Sequence, residues 1–327
     1  MRGWKRRDWQ WKQIAAVCTV AALLSGTAMT GCQEADAQED VQDRQDEAAR
    51  EKEISQAKTL RMTAEEYPIV DGSTATVPLS EAFAASVTHR PIEEVRQYIL
   101  HNTTHNAYVN LIDGLADIIF VTSPSADALS YAAEKGVELS VVPIVSEGFV
   151  FLTSRENPVD SLTMQQIQDI YKGKLTNWNQ AGGQNQPIIA YQRPDHSGSQ
   201  TGMYDLVVSA EEIADAPAKK KLQGMDELVD VVADFENGPG AIGYSYYHYV
   251  TDMWINEGIK LLAVDGILPS AQTISDGSYP IQTAYYAVTR SDLPGDSSAA
   301  KLLAWILSEE GQKTAQEAGY IKLGTQK

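Results

Sequence analysis

The sequence contains very little cysteine, which excludes a fold that depends on several disulfide bonds. Only two of its 327 residues are cysteines, Cys18 and Cys32, and both lie near the N-terminus. Removal of that segment as a leader would leave no thiol pair to oxidise. The mature chain therefore has to gain its stability from buried apolar side chains, and it is long enough for two lobes with separate cores.

Positive charge and long apolar runs are also scarce. The chain has 26 Lys and Arg residues against 44 Asp and Glu residues, a formal net charge of −18. Such an acidic protein is a poor partner for the phosphate backbone of nucleic acids, so we exclude nucleic acid as a ligand. Apart from one apolar stretch near the N-terminus, no run approaches the roughly 20 residues of a membrane-spanning helix. Membrane association would then require a lipid anchor.

The first 31 residues have the order of a secretory signal. Five basic residues lie in Met1–Lys12, an apolar run occupies Ile14–Leu24, and small residues lead to Cys32. This order resembles a bacterial lipoprotein signal, in which the cysteine becomes the lipidated first residue, although Met29 stands where such signals usually carry Leu. We therefore expect an extracytoplasmic protein that Cys32 anchors to the cell membrane. A short buried helix is the alternative.

Residues 32–60 form an acidic flexible tether in this interpretation. Between Gln33 and Lys58 there are nine acidic and four basic residues, many Gln and Ala, and almost no large apolar side chains. Such a segment cannot add much to a core. A frayed helix is the alternative, because Glu, Gln, Ala, Arg and Lys favour helices.

Residues 188–208 have the pattern of an anion-binding loop at the start of a helix. Ile188–Tyr191 predicts a buried strand and Gly202–Val208 has the apolar spacing of a helix, so the loop between them lies at a helix N-terminus. Unpaired backbone N–H groups and the helix dipole favour an anion there. The loop adds a planar cation and three hydroxyl donors: Arg193, Ser197, Ser199 and Thr201. Ser and Thr are also ordinary helix caps, so a capped helix without a ligand is the alternative.

Two further apolar runs end in hydroxyl-bearing loops. Tyr67–Val70 leads into the segment Asp71–Leu79, and Gly114–Val121 leads into Thr122–Ser125. Hydroxyl side chains in these two loops include Ser73, Thr74, Thr76 and Ser123. Helices are predicted at Pro91–Tyr98, Ala126–Lys135 and Thr163–Tyr171, and strands at Val137–Val145 and Gly148–Thr153. This alternation predicts an α/β fold with a mostly parallel sheet and helices on both faces, whose ligands bind outside the carboxyl ends of the strands.

Histidine and serine residues invite metal-site and hydrolase hypotheses. His101 and His105 are four residues apart, but Asn102 stands where a zinc-protease helix has its glutamate. Asp195–Ser197 contains Asp, His and Ser as direct neighbours, which cannot form a catalytic triad, and it does not have the Gly-x-Ser-x-Gly pattern of a nucleophile turn. We therefore expect no metal, no cofactor and no enzymatic activity.

Several separated segments together resemble one family, the phosphate-binding substrate receptors of ABC transporters. The resemblance extends from about residue 66 to the C-terminus, and the segments follow the family's order. They are Asp71–Leu79, Asn157–Val159 with Tyr171–Trp178, Arg193 with Ser197–Thr201, Gly240–Tyr244, and Val264–Ser270 followed by Tyr279–Pro280 and Glu310–Gln312.

The resemblance implies a two-lobed fold of the type II periplasmic-binding-protein class, each lobe a mostly parallel sheet with helices on both faces. Lobe I would comprise residues 61–143 and 250–327, and lobe II residues 144–249. The chain would cross between the lobes near Pro143 and Tyr249. A ligand that contacts both lobes would close them around this hinge.

The resemblance also implies that the hydroxyl loops hold phosphate. The implied ligand-binding residues are Ser73, Thr74 and Thr76 in the first loop, Arg193, Ser197, Gly198 and Thr201 in the loop before the helix, Thr104 or Thr103, and Ser123. The segment Ser197–Thr201 is two residues longer than the family's Ser-Gly-Thr, so Ser199 is an alternative to Thr201.

One departure from the family bears on which oxyanion is bound. The family places an Asp, which accepts a proton from partly protonated phosphate, where this chain has Thr122–Pro124. Asp117 lies at the other end of that strand and is expected to be a structural cap. Asp195 and Glu147 are the substitutes to consider. Discrimination between oxyanions depends on leaving the wrong ligand with an unpaired buried group, so the choice of anion stays open.

The expected function is capture of a small oxyanion, phosphate first, by a monomeric extracytoplasmic lipoprotein that serves the permease of an ABC importer. An oxyanion or small-ligand sensor of the same fold without a transport role is the alternative. An organic ligand on the aromatic residues Trp178 and Tyr244–Tyr249 is a further alternative, but the hydroxyl loops favour a small polar anion.

Overall fold

The computed structural model describes residues 60–234 and 239–324. The leader, Cys32 and the tether up to residue 59 lie outside these ranges, so the lipidation and tether hypotheses stay predictions. Within the two described ranges, no helix combines the length and the apolar character that a membrane span requires.

The described residues alternate between strands and helices along the chain. The strands are β1 (Val70–Gly72), β2 (Ile118–Val121), β3 (Leu139–Ser154), β4 (Ser161–Leu162), β5 (Ile189–Ala190), β6 (Ala241–Tyr246), β7 (Ile259–Leu261), β8 (Ala263–Val264) and β9 (Gln282–Arg290). The α-helices are α1 (Val77–Thr88), α2 (Ile92–Val95), α3 (Thr103–Ile112), α4 (Ala126–Lys135), α5 (Met164–Tyr171), α6 (Gly198–Leu206), α7 (Met225–Ala233), α8 (Ala271–Ser275), α9 (Ser298–Ile306) and α10 (Glu309–Glu317). Short 3₁₀ turns occupy Thr74–Thr76, Arg96–Tyr98, Trp178–Ala181 and Ala218–Lys220, and a π-turn occupies Tyr249–Met253.

The main sheet has seven strands in the order β1-β2-β9-β3-β6-β5, with β7 also paired to β3. The end pairs β1–β2 and β5–β6 are parallel, whereas β9 and β3 in the middle are antiparallel to their neighbours. β4 and β8 form a separate parallel pair. The α/β class is confirmed. The sheet as a whole is mixed, because the chain returns through β9 between β2 and β3.

β3 is a continuous strand of 16 residues that belongs to both halves of the sheet. Its first part, up to Gly148, pairs with β9, and its second part, from Phe149, pairs with β6. The sequence pattern wrongly predicted two separate strands here. Ser146 and Glu147, which were expected to separate them, instead stay in register with Ala284 and Thr283 of β9.

Helix ends follow the local capping signals. Gly136 and Gly173 have φ values of 67° and 69°, the left-handed conformation that glycine adopts most readily after a helix. α6 begins at Gly198, four residues before the predicted start, because Oγ of Ser197 accepts the backbone N–H of Gln200 and caps the helix. The loop that the sequence identified is therefore partly the first turn of the helix.

Aromatic side chains fill the core where the sheet changes partner. The rings of Phe149 and Tyr244 stack with centroids 5.5 Å apart, and Tyr246 packs edge-on against Phe149. Trp178 is buried and donates its indole N–H to the carbonyl of Gly240 at 2.9 Å. The rings of Phe149, Trp178, Tyr244 and Tyr246 are buried and serve packing.

Candidate functional site

The first hydroxyl loop, which begins at Ser73, and the hydroxyl loop that begins at Thr122 leave neighbouring strands at one edge of the sheet. β1 and β2 are parallel, with Gly72 opposite Phe120. The N–H of Ser73 donates to the carbonyl of Phe120 at 3.0 Å, and Thr122 follows the last residue of β2. The two loops therefore lie side by side at the carboxyl ends of parallel strands, as the strand–loop pattern predicted.

The hydroxyl groups of the first loop have different surroundings. Thr76 is fully buried, and its Oγ1 donates to the carbonyl of Phe120 at 2.7 Å. This hydroxyl hydrogen closes the loop onto β2 and is not available to a ligand. Ser73 is buried with its Oγ 3.3 Å from Oγ1 of Thr76, whereas Thr74 is exposed. Ser73 and Thr74 are therefore the stronger candidates for contact with an anion.

A third segment, the start of α3, lies against these loops. Thr103 opens the helix with a φ of 70°, which is rare for a β-branched residue. Asp71, the second residue of β1, is fully buried and accepts four N–H donors, two of them from Asn102, which immediately precedes α3. Sequence reasoning did not single out Asp71. An acidic residue within an apolar strand, directly before Gly-Ser-Thr, was the available signal.

α6 supplies the helix N-terminus that the sequence predicted. The first amides of a helix have no acceptor within the helix. Oγ of Ser197 accepts the amide of Gln200, and the carbonyl of Ser197 accepts that of Thr201, so the amides of Gly198 and Ser199 stay available. The Ser199 hydroxyl is buried and has no partner among the described residues, whereas the Thr201 hydroxyl donates to the Ser197 carbonyl at 3.3 Å. These contacts favour Ser199 over Thr201 as a ligand donor.

The separated segments meet at Gly198. A Cβ atom at this position would lie 2.5 Å from Oγ1 of Thr122 and 2.7 Å from Oγ1 of Thr104. The carboxyl end of β2, the first turn of α3 and the first turn of α6 are thus in contact. Thr104, rather than the alternative Thr103, has its hydroxyl at this junction. Only glycine allows the three segments to approach this closely.

Arg193 places a cation in the protein interior just before α6. The side chain is 9% exposed, and its Nη2 donates to the carbonyl of Gln223 at 2.7 Å. Nε has no hydrogen-bond partner among the described residues. Burial lowers the pKa of Arg193, yet guanidinium groups stay protonated in proteins. An unpaired donor on a buried cation is costly unless an anion binds to it.

Polar side chains also join α6 and its preceding loop to the β2 side of the molecule. Oγ of Ser123 donates to Oδ2 of Asp205 at 2.9 Å, so this predicted ligand hydroxyl is used within the protein. Nδ1 of His196 lies 3.0 Å from Oδ2 of Asp127, and the His196 ring lies 4.9 Å from the ring of His105. These contacts hold the segments together around Gly198.

The three carboxylates considered beside the site have other partners. Asp117 accepts the N–H of Ile69 at 2.8 Å, which confirms its role as a structural cap. Asp195 is exposed and accepts the hydroxyl of Tyr204 at 2.7 Å. Glu147 is buried and accepts the N–H groups of Gly148 and His248. Neither Asp195 nor Glu147 contacts a predicted ligand-binding residue in these bonds.

The two histidines that suggested a metal site are separated by the start of α3. His101 precedes the helix and packs beside Gly72, whereas His105 lies on the helix and contacts His196. Burial lowers the pKa of His101. In the part of the chain that the structure describes, no three His, Cys, Asp or Glu residues are arranged to hold a metal ion.

A family model decides the relationship. The model of the PBP superfamily domain matches residues 94–310, which include β2 to β9, α6 and Arg193. The chain belongs to the PBP superfamily. The two-lobed α/β fold expected from the sequence is the fold of this superfamily, so the fold prediction is confirmed.

Named relatives of this PBP superfamily chain include phosphate-binding proteins. The phosphate-binding protein PstS of Bacillus subtilis is 28% identical over 196 residues, which cover 58% of this chain and 61% of that protein. PstS of Borreliella burgdorferi is 25% identical over 217 residues, covering 65% of this chain and 76% of that protein. A Clostridium perfringens structure, described as a phosphate ABC transporter substrate-binding protein with bound phosphate, superposes with a TM-score of 0.61 at 26% identity, covering 78% of this chain and 98% of its own.

Proposed function

We propose that this protein captures phosphate outside the cytoplasm for an ABC importer. The observation that carries the proposal is Arg193, a buried guanidinium whose Nε has no partner among the described residues and which precedes α6, where the amides of Gly198 and Ser199 are available. A planar cation beside helix amides and hydroxyl donors suits a tetrahedral oxyanion. The relatives named PstS and the Clostridium perfringens structure with bound phosphate support phosphate over other oxyanions.

The proposed binding set is smaller than the sequence implied. Its members are Arg193, the amides of Gly198 and Ser199, and the hydroxyls of Ser73, Thr74, Thr104 and Ser199. Ser197 caps α6, and the hydroxyls of Thr76, Ser123 and Thr201 donate within the protein. These four residues then shape the site and do not donate to the ligand through their side chains.

Binding would act through closure of two lobes. The proposed crossings near Pro143 and Tyr249 lie where β3 has a register shift and where β6 passes into the π-turn, and such irregular segments suit a hinge. Ser73 and Thr104 would belong to lobe I, and Arg193 and Ser199 to lobe II. Phosphate should therefore reduce the radius of gyration in solution X-ray scattering. An unchanged radius together with a raised melting temperature would contradict closure.

The cellular role follows from the same relationship. An extracytoplasmic receptor needs an export signal, and the lipoprotein-like leader ending at Cys32 would supply both this signal and a membrane anchor. Its partners would be phosphate and the permease subunits of the importer. Mass spectrometry of protein from the membrane fraction should find Cys32 acylated at the mature N-terminus. A mature N-terminus elsewhere without an acyl group would contradict the anchor.

Calorimetric titration of the purified chain tests the proposed ligand. Phosphate should bind, and sulfate, molybdate and tungstate should bind more weakly. If sulfate or a metal oxyanion binds more tightly than phosphate, that anion becomes the proposed ligand, and the proposed site stays the same. Failure of all four anions to bind would overturn it. Phosphatase and esterase assays on the same sample should give no turnover, since the site has no activated nucleophile in the proposed arrangement.

A further inference from the structure

Asp71 occupies a position between two segments of the proposed site. Its carboxylate accepts the N–H of Gly72 at 2.7 Å, the backbone and side-chain N–H groups of Asn102 at 2.9 Å each, and the side-chain N–H of Asn110 at 2.7 Å. Gly72 precedes Ser73, and Asn102 precedes Thr103 and Thr104. Asp71 therefore ties the first hydroxyl loop to the start of α3.

We propose that Asp71 is a positioning residue that sets the spacing between the Ser73–Thr74 loop and Thr104. This inference rests on the proposed oxyanion function of the site. Asp71 itself is not a ligand contact, because four N–H donors already surround its two oxygens and an adjacent anion would be repelled by its charge.

Only a carboxylate satisfies this set of donors. An ionised Asp is an acceptor on both oxygens, whereas Asn would present its own N–H₂ group to two or more of the same donors. The residue is fully buried, so a lost acceptor could not be replaced by water. Asn110 lies two turns into α3, so the carboxylate fixes the body of the helix as well as its first residue.

The backbone at the start of α3 supports the same interpretation. Thr103 has a φ of 70°, a conformation that costs energy for a β-branched residue and persists only where neighbours impose it. The two hydrogen bonds from Asn102 to Asp71 impose it directly before that residue. The next residue is Thr104, whose hydroxyl meets Gly198. A change in the backbone conformation of this turn would move the Thr104 hydroxyl away from α6.

The test compares Asp71→Asn with Asp117→Asn. Asp117 accepts the N–H of Ile69 at the opposite end of the same strand pair, so it is a matched control for damage to β1 and β2. We expect Asp71→Asn to weaken phosphate binding about tenfold or more in calorimetry, since hydrogen bonds to a charged group are lost. Asp117→Asn should keep the affinity of the unchanged protein. The melting temperatures of both variants show how far each substitution destabilises the folded protein.

A double-mutant cycle separates positioning from general destabilisation. Thr104→Val should weaken binding in the unchanged protein but have much less effect in the Asp71→Asn protein, where Thr104 is already displaced. Asn102→Ala, which removes one donor and leaves the carboxylate in place, is the milder variant if Asp71→Asn does not fold. It should weaken binding by a smaller factor and show the same coupling to Thr104.

The outcomes distinguish this inference from the proposed function. If the unchanged protein binds none of the oxyanions, the function and the positioning role fail together. If the unchanged protein binds phosphate and Asp71→Asn binds it as tightly, only the positioning role fails. Fully additive effects of Thr104→Val and Asp71→Asn would also overturn it.

Discussion

The proposed anion site and the core near Gly148 both bury an ionisable group, but they differ in what balances the charge. Arg193 is buried with an unpaired Nε among the described residues, and a bound anion would complete its surroundings. Glu147 is buried beside His248, Tyr285 and Tyr320, a set that we call the Glu147 cluster. Burial raises the pKa of Glu147 to about 8, so a bound proton neutralises this carboxyl group at lower pH. At Arg193, a bound anion would balance the charge instead.

This difference predicts that the protein responds to phosphate and to pH through separate regions. Phosphate should act through Arg193 and α6, whereas pH should act through the Glu147 cluster. The two regions are connected, because the ring of His248 lies 3.7 Å from that of Tyr320, and Tyr320 donates to the carbonyl of Ala75 in the first hydroxyl loop. Substitutions that change phosphate binding without changing the pH dependence of stability, or the reverse, test whether the two regions act independently.

The largest expected effect is on the pH dependence of stability. The pKa of Glu147 in the folded protein is raised above its ordinary value of 4.5, so its stabilising contribution is complete below about pH 4.5 and is lost as pH rises to about 8. Urea unfolding should therefore show a decrease of several kcal/mol in the free energy of unfolding across this window. Glu147→Gln, which cannot ionise, should remove most of the decrease and be the more stable protein at pH 9.

The control for this prediction is Glu138→Gln, an exposed residue one position before β3. Its pH profile should match that of the unchanged protein. Burial lowers the pKa of His248, so protonation of His248 destabilises the folded protein on the acid side, and burial raises the pKa of Tyr246, Tyr285 and Tyr320 above the ordinary value. An equal decrease between pH 4.5 and 8 in Glu147→Gln would show that another group causes it.

The second prediction concerns Arg193. Arg193→Lys should weaken phosphate binding by about 1.5–3 kcal/mol, because an ammonium group cannot reproduce the two parallel hydrogen bonds of a guanidinium. Calorimetry measures the loss, and Arg155→Lys, an exposed change of the same kind, is the matched control. Equal affinities of the two variants would remove Arg193 from the site. The decrease in stability that Glu147 causes should remain in Arg193→Lys, since the Glu147 cluster is intact.

The sequence predicted the parts of the site that depend on neighbouring residues. Ser197 caps α6, the helix predicted at Ala126–Lys135 has those bounds, and the loops after β1 and β2 lie side by side, because capping, apolar spacing and parallel strands follow from local pattern. The order of the family's segments further identified the PBP relationship.

Contacts between distant residues could not be predicted in the same way. The burial of Glu147, the four donors around Asp71 and the meeting of Thr104 with Gly198 each join residues far apart in the chain. Hydroxyl groups that look equivalent in sequence, such as Ser199 and Thr201, differ only in which carbonyl lies within reach. Continuous pairing of β3 through Ser146 and Glu147 likewise depends on β9, more than 130 residues later.

The third prediction compares two glycines of α6. Gly198→Ala would place a methyl group against the hydroxyls of Thr122 and Thr104, so the segments around the site would separate and affinity should fall by about 1–2 kcal/mol. Gly202→Ala would instead press against Tyr246 and Phe149 in the core and should lower the melting temperature with or without phosphate. Calorimetry and thermal unfolding of both proteins give the comparison. A Gly198→Ala protein with unchanged affinity would show that these segments do not need to meet for binding.

The smallest expected effect distinguishes the two hydroxyls that the sequence could not separate. The Ser199 hydroxyl is buried without a partner among the described residues, so Ser199→Ala should leave the ligand-free protein as stable or slightly more stable while weakening phosphate binding by about 1 kcal/mol. Thr201→Val removes a hydroxyl that donates to the Ser197 carbonyl, so it should change affinity little. Thermal unfolding without ligand and calorimetry with phosphate separate stability from binding. The reverse ranking, with Thr201→Val the weaker binder, would mean that α6 turns on its axis when phosphate binds, and it would make Thr201 the ligand donor.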